Sequence, residues 1–83
     1  MIPRIKTFEA LDDFFLKIEF DDGKKILYDL KEDIVTIPSF MVLKTETGLY
    51  QNYRIDKSRT DVSWSDNVDL PSDILYEYGK IIS

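Results

Sequence analysis

The sequence predicts a small α+β domain, with a mainly antiparallel sheet of about five strands and a closing helix. Three patterns predict it: an alternating apolar stretch that ends at Asp22–Gly23, a second alternation around Trp64, and an apolar face that repeats every four residues near the C-terminus. The whole chain, residues 1–83, is expected to be one domain. Domains typically contain about 50 to 250 residues, and three glycines and three prolines are too few to mark a linker.

The N-terminal half carries the strongest strand pattern. Residues 14–20 place Phe14, Leu16, Ile18 and Phe20 on one face, as a half-buried antiparallel strand requires. Asp-Gly between two such runs indicates a tight hairpin, so residues 24–30 form the returning strand. A weaker alternation over residues 2–10 predicts a preceding strand, which makes an N-terminal strand followed by the first of two hairpins.

Short helical turns are expected in the middle of the chain. Asp29 and Glu32 have the spacing of a capping box, which predicts one helical turn that ends near Ile34. Ser39 can cap a second short turn. Residues 49–56 then indicate a strand with one slip in its alternation, and residues 60–65 give a clean short strand. These two strands form the second predicted hairpin.

A closing helix of about ten residues is predicted from the C-terminal pattern. Residues 66–69 are interpreted as a loop, with Asp69 as the N-cap and Pro71 in the first turn. Asp73 adds negative charge near the positive end of the helix dipole. Gly79 follows the helix where a C-cap glycine is expected.

Composition excludes several classes of chemistry. The chain has neither cysteine nor histidine, so it has no disulfide, no thiolate nucleophile, and no Ser-His or Cys-His device. Sixteen acidic and eleven basic residues give a net charge of −5, which disfavours direct binding to nucleic acid or to an anionic membrane. No apolar run approaches the length of a membrane helix. We therefore expect a cytoplasmic protein without a cofactor and without an enzymatic activity.

Acidic residues offer one alternative function. Asp66, Asp69 and Asp73 fall within eight residues and could supply oxygen ligands to a metal ion or a small ligand. Their register does not match a calcium-binding loop, and capping and turn roles explain them more simply. An enzyme that works with carboxylates alone is a more remote alternative.

Aromatic residues are the candidates for interaction. Trp64, Tyr50, Tyr53 and Tyr76 are many for one small interior, so some could form a protein interface, where Tyr and Trp are enriched. Aromatics at strand spacing more often belong to the core. Both interpretations stay open at this point.

The ordered motifs resemble a small bacterial domain-of-unknown-function family, number 2442. The resemblance extends from about Ile5 to Tyr76. It is carried by Phe20-Asp21-Asp22-Gly23, Tyr28-Asp29-Leu30, Phe40 with Leu43, Tyr50, Ile55-Asp56, Val62-Ser63-Trp64, Asn67-Val68-Asp69-Leu70, and Asp73 with Leu75-Tyr76. Asn67 departs from the glycine of many relatives, but asparagine also tolerates the left-handed conformation.

The resemblance implies no catalytic residue, because the family has no established activity. Some relatives are fused to a helix-turn-helix domain, and others are encoded beside a second small protein, as in toxin–antitoxin pairs. We therefore expect a non-enzymatic interaction module, either the partner or antitoxin-like component of a two-gene bacterial system or a regulatory accessory. Its partner would be a protein, for instance a basic one, or a second copy of the chain.

Overall fold

The computed structural model describes residues 2–82, which form two antiparallel sheets and three short α-helices. The first sheet has the strand order β1-β2-β3-β7 and the second has the order β4-β5-β6. The predicted α+β class is confirmed, with more strands than expected. The elements are β1 (Ile5–Ala10), β2 (Phe15–Phe20), β3 (Lys25–Asp29), α1 (Lys31–Thr36), α2 (Val42–Thr45), β4 (Arg54–Ile55), β5 (Asp61–Ser65), β6 (Val68–Pro71), α3 (Ser72–Tyr78) and β7 (Lys80–Ile81).

The first hairpin forms as its sequence predicts. Strands β2 and β3 pair antiparallel with Glu19 opposite Lys25, and Gly23 takes a φ of +92° in the turn. The Asp22 carboxylate accepts a hydrogen bond from the backbone N–H of Lys24, which closes the turn. Strand β1 begins at Ile5, three residues later than predicted, and pairs with β2.

The predicted strand over residues 49–56 is mostly wrong. Only Arg54–Ile55 pairs in a sheet, and the residues before it form consecutive turns. Their backbone bonds are local: Leu49 N–H donates to the Glu46 carbonyl, and Asn52 N–H donates to the Leu49 carbonyl. The slip in alternation therefore marks the passage from these turns into the short strand β4.

The predicted loop at residues 66–69 is confirmed only for Asp66–Asn67, which form the turn between β5 and β6, and the N-cap role of Asp69 is wrong. Residues 68–71 form β6, which pairs antiparallel with β5 and buries Val68 and Leu70. Asp69 lies between them on the outward side of the strand, and Pro71 takes the N-cap position of α3 instead. Two buried side chains and a hydrogen-bonded ladder outweigh the local capping preference.

The helices are short and packed by their apolar sides. Helix α1 runs to Thr36, two residues beyond the predicted end, and the Asp29 carboxylate accepts a hydrogen bond from Lys31 N–H at its start. Helix α3 has seven residues rather than about ten, because Gly79 ends it and the chain then enters β7.

One core joins all these elements. The inner face of the first sheet supplies Ile5, Leu16, Ile18, Phe20, Ile26 and Tyr28, the second sheet supplies Val62, Trp64, Val68 and Leu70, and the helical segments supply Ile34, Phe40, Leu43 and Leu75. None of the helices within residues 2–82 has the length and apolar character that crossing a membrane requires. The two sheets thus bury their apolar faces and leave their outward faces and free edges accessible.

Candidate functional site

Trp64 and Tyr50 connect the turns before β4 to both sheets. The Trp64 side chain on β5 is buried, and its indole N–H donates to the Tyr50 carbonyl over 2.9 Å. The Tyr50 hydroxyl lies within hydrogen-bond distance of two carbonyl oxygens at the ends of strands in the first sheet. These are the carbonyl of Leu11, just after β1, at 2.6 Å, and that of Phe15, at the start of β2, at 2.9 Å. Burial, with a smaller contribution from Asp12, raises the pKa of Tyr50 to about 12. The Trp64 indole N–H and the Tyr50 hydroxyl therefore both form hydrogen bonds within the chain.

Tyr53 and Tyr76 are half-buried, and each contacts the first sheet. The Tyr53 ring packs 4.5 Å from the Phe8 ring, centroid to centroid, and its hydroxyl donates to the Phe8 carbonyl at 3.3 Å. The Tyr76 hydroxyl on α3 donates to the Asp22 carboxylate at 2.5 Å. This bond lowers the pKa of Asp22 and raises the pKa of Tyr76. The four aromatic candidates thus lie at junctions between elements.

The outer face of the second sheet forms an open polar groove of about 590 Å³. Asp61 on β5 and Asp69 on β6 lie side by side there, because the register sets Asp61 opposite Pro71 and Asp69 opposite Ser63. Desolvation, and then the hydrogen bond with Asp69, raise the pKa of the Asp61 carboxyl to about 6. The lining consists of Asn52, Arg54, Asp61, Ser63, Trp64, Ser65, Asp66 and Asp69.

The three acids proposed from the sequence are only partly brought together. Asp66 and Asp69 line the groove, whereas Asp73 lies outside that lining, in the first turn of α3. The Asp73 carboxylate accepts a hydrogen bond from the N–H of Ile74. Within residues 2–82, no group of three acidic residues is placed to hold a metal ion. Asp61, which was not among the three acids, lies next to Asp69 in the groove, whereas Asp73 does not line it.

The free edges of the two sheets differ in how much of their backbone is open to pairing with another strand. The backbone of β1 is covered on its free side. The Tyr53 hydroxyl donates to the Phe8 carbonyl, the Arg59 guanidinium donates to the Ile5 carbonyl, and the Ile5 N–H donates to the Arg59 carbonyl. Strand β6 carries Asp69 and Pro71, and a charge and a missing N–H both discourage further pairing.

The edge at β7 is a strand of two residues, Lys80–Ile81, with exposed apolar side chains on it and beside it. Ile81 is 63% exposed, and Tyr78 and Ile82 on either side of it are 72% and 44% exposed. In the part of the chain that the structure describes, no bond covers the free side of this strand. We call Tyr78, Ile81 and Ile82, with the open backbone of β7, the C-terminal edge.

Sequence reasoning missed the C-terminal edge and the Asp61–Asp69 pair. The β-branched Ile81–Ile82 after Gly79 was a strand signal that the helix pattern before it concealed. Val68-Asp69-Leu70 also alternates, and an interpretation as strand would have placed Asp69 on the same face as Asp61. Arg59, with a φ of +60°, gave no signal, because its bonds to Asp21 and Ile5 depend on the tertiary fold.

Comparison with known proteins identifies the family of this chain. A family model described as a protein of unknown function, DUF2442, matches residues 5–80. The chain belongs to this family. No curated protein and no solved structure matches it.

Proposed function

We propose that this chain is a non-enzymatic interaction module that binds a protein partner through its C-terminal edge. The supporting observation is the contrast between the edges: β1 is covered by Tyr53 and Arg59, whereas β7 is open and flanked by exposed apolar side chains. An open edge with apolar neighbours is a template for pairing with another strand, because the partner gains backbone hydrogen bonds and apolar contacts together.

For the cellular role, we propose the one that the family resemblance suggests. The chain acts in the cytoplasm as the partner or antitoxin-like component of a two-gene bacterial system, or as an accessory to a regulator. Its net charge of −5 favours a protein partner over direct contact with nucleic acid. No chemical step is assigned to it, because histidine and cysteine are absent and four of its five tyrosine hydroxyls, those of Tyr28, Tyr50, Tyr53 and Tyr76, are engaged in structural bonds.

Site-directed cross-linking tests this proposal. The chain lacks cysteine, so Ile81→Cys introduces a single attachment point for a benzophenone maleimide. We expect irradiation in an extract of the native host to give one adduct with an identifiable polypeptide, which unlabelled wild type competes away and Ile81→Lys does not. Val35→Cys, at a more exposed aliphatic position on α1, is the matched control. Adducts that form equally from both positions, or that resist competition, contradict the proposal.

The groove on the second sheet supports a second candidate function, the binding of a small polar ligand. Asp61 and Asp69 offer adjacent oxygens, and Arg54 lies in the same lining without an ion pair among the described residues. Trp64 is the only tryptophan and also borders the groove, so its fluorescence reports occupancy. Titration with free arginine and with divalent cations should change the emission and raise Tm by mass action, and Asp69→Asn should weaken both effects. An unchanged emission and Tm at millimolar ligand exclude this function.

A further inference from the structure

We infer that the occupant of the C-terminal edge is a second copy of this chain, which pairs β7 antiparallel with its own β7 about a two-fold axis through Ile81. This inference rests on the proposed function, since it names the partner of the same edge. A two-fold contact must be self-complementary, so that each surface meets its own copy.

The ladder between β3 and β7 fixes which backbone groups are free. Ile82 N–H donates to the Lys25 carbonyl over 3.0 Å, and the register pairs Ile81 with Ile26 and Lys80 with Leu27. In an antiparallel ladder, residues that bond to the neighbouring strand alternate with residues that point away. The N–H and the C=O of Ile81 therefore both point away from β3, toward the open side.

Those two groups make Ile81 the centre of a symmetric pairing. The N–H of each copy can donate to the C=O of the other, which gives one closed pair of hydrogen bonds on the axis. The two four-stranded sheets would then form one continuous sheet of eight strands across the dimer.

Side chains and charges agree with this register. With Ile81 opposite its copy, Lys80 of one chain stands opposite Ile82 of the other, so that no like charges face each other directly. The lysine stem can pack along the isoleucine while its ammonium group stays in water. Ile81 is exposed, and its apolar surface would be buried against that of the copy.

The other edges do not offer such a contact. Strand β6 would place Asp69 in the pairing and lacks the N–H of Pro71. Strand β4 is as short as β7, but its Ile55 is half-buried, whereas Ile81 is exposed. The backbone of β1 already bonds to side chains of its own chain. Among the described strands, β7 thus combines free backbone groups with apolar side chains.

Disulfide trapping of the purified protein tests the symmetric pairing. A hydrogen-bonded antiparallel pair has Cα atoms about 5.5 Å apart, within the range that a disulfide spans. Under mild oxidation, Ile81→Cys should form a covalent dimer at least about tenfold faster than Val35→Cys. Strand β7 pairs with Ile26 and Leu27 near the start of β3, whereas α1, which carries Val35, follows the other end of β3. The proposed pairing therefore brings the two copies of position 81 together but not the two copies of position 35. Circular dichroism and Tm must show that both variants are folded. Equal rates of dimerisation overturn the inference.

Sedimentation velocity of the unmodified chain gives a second measurement. We expect a dimer that dissociates on dilution, a loss of affinity of about tenfold or more in Ile81→Lys, and no loss in Val35→Lys. A wild type that sediments as a monomer up to about 1 mM overturns the second-copy inference. If such a monomer still forms the competed adduct with another polypeptide at position 81, the proposed function stands and its partner is a different protein. If that adduct is also absent, both fail.

Discussion

Arg59 and Asp21 form a two-pronged ion pair between the two sheets, with Nη1–Oδ1 and Nη2–Oδ2 distances of 2.8 and 2.9 Å. Asp21 follows β2 in the first hairpin, and Arg59 lies in the turn that precedes β5. The same guanidinium also donates to the Ile5 carbonyl, whose residue in turn donates its N–H to the Arg59 carbonyl. One residue thus connects the second sheet to both β1 and the first hairpin.

Replacing Arg59 by lysine should lower Tm although the charge is kept. A lysine ammonium cannot reproduce the planar fork that binds both oxygens of Asp21. Arg54→Lys is the matched control, because Arg54 forms no ion pair among the described residues. The difference in Tm between the two variants should narrow in 1 M salt, since the pair is partly exposed. Equal Tm values for both variants would show that the fork does not stabilise the fold.

Local patterns were sufficient for the first sheet's hairpin and insufficient for the second sheet. Asp22–Gly23 could be interpreted correctly because turn chemistry and alternation agree within ten residues. The turns around Tyr50 depend on a hydroxyl that reaches Leu11, 39 residues away, and on the indole of Trp64. Such long-range bonds leave no periodic signal, so the sequence suggested a strand there.

The candidate groove was hidden for a similar reason. Asp69 before Pro71 has the local pattern of a helix start, yet Val68 and Leu70 are buried on β6. Only the pairing of β6 with β5 brings Asp69 beside Asp61, and the sequence does not specify this register. The C-terminal edge left only a composition signal, the β-branched Ile81–Ile82, because a two-residue strand is too short for an alternation to be recognised.

Gly79→Ala should destabilise the protein through a steric clash. The φ of Gly79 is −69°, which any residue can adopt, but an added Cβ would lie 2.5 Å from Ile26 Cδ1 and 2.7 Å from the Leu75 carbonyl oxygen. The carbonyl belongs to the last turn of α3 and cannot rotate away. We expect a loss of about 1–3 kcal/mol in the free energy of unfolding, measured by urea denaturation.

A second substitution removes the shortest of the contacts of that Cβ. Ile26→Val lacks Cδ1, so Gly79→Ala should cost less in the Ile26→Val background than in wild type, while the contacts with the Leu75 carbonyl oxygen and with the Cβ of residue 26, at 2.9 Å, remain. Gly23→Ala is a comparison of a different kind, since Gly23 has open space around it and a φ of +92°. If Gly79→Ala is as stable as wild type, close packing is not the reason for the glycine.

Tyr50→Phe should lower the free energy of unfolding by about 1–2 kcal/mol. The substitution removes a hydroxyl that lies within hydrogen-bond distance of the carbonyl oxygens of Leu11 and Phe15 and can donate its proton to either. Tyr78→Phe is the matched control: its ring is 72% exposed, and no hydrogen bond of its hydroxyl is found among the described residues. Chemical denaturation of both variants gives the comparison. Equal stabilities would mean that water replaces the Tyr50 hydroxyl without loss.

Asp61 should make stability fall as pH rises from about 4 to 6. Its pKa in the folded chain is raised to about 6 from the ordinary 3.8, first by desolvation and then by Asp69, with Asp56 adding further repulsion. Between about pH 4 and 6, the folded chain therefore keeps a proton that the unfolded chain releases. The contribution of this group to the free energy of unfolding is fully present below about pH 4 and is lost as pH rises through about 6. Asp21, Asp22 and Asp56 have lowered pKa values, and their contributions change at lower pH.

Asp61→Asn isolates this contribution because it resembles the protonated carboxyl at every pH. We expect its free energy of unfolding to exceed that of wild type above pH 6, and the difference to shrink toward pH 4, in urea titrations at matched ionic strength. Asp66→Asn, in the same groove, is the control for a general change in net charge. A difference between Asp61→Asn and wild type that is constant from pH 4 to 7 would contradict a proton held between Asp61 and Asp69. A difference that follows the expected sign would show that the folded chain favours the protonated form of Asp61, chiefly because burial desolvates its carboxyl.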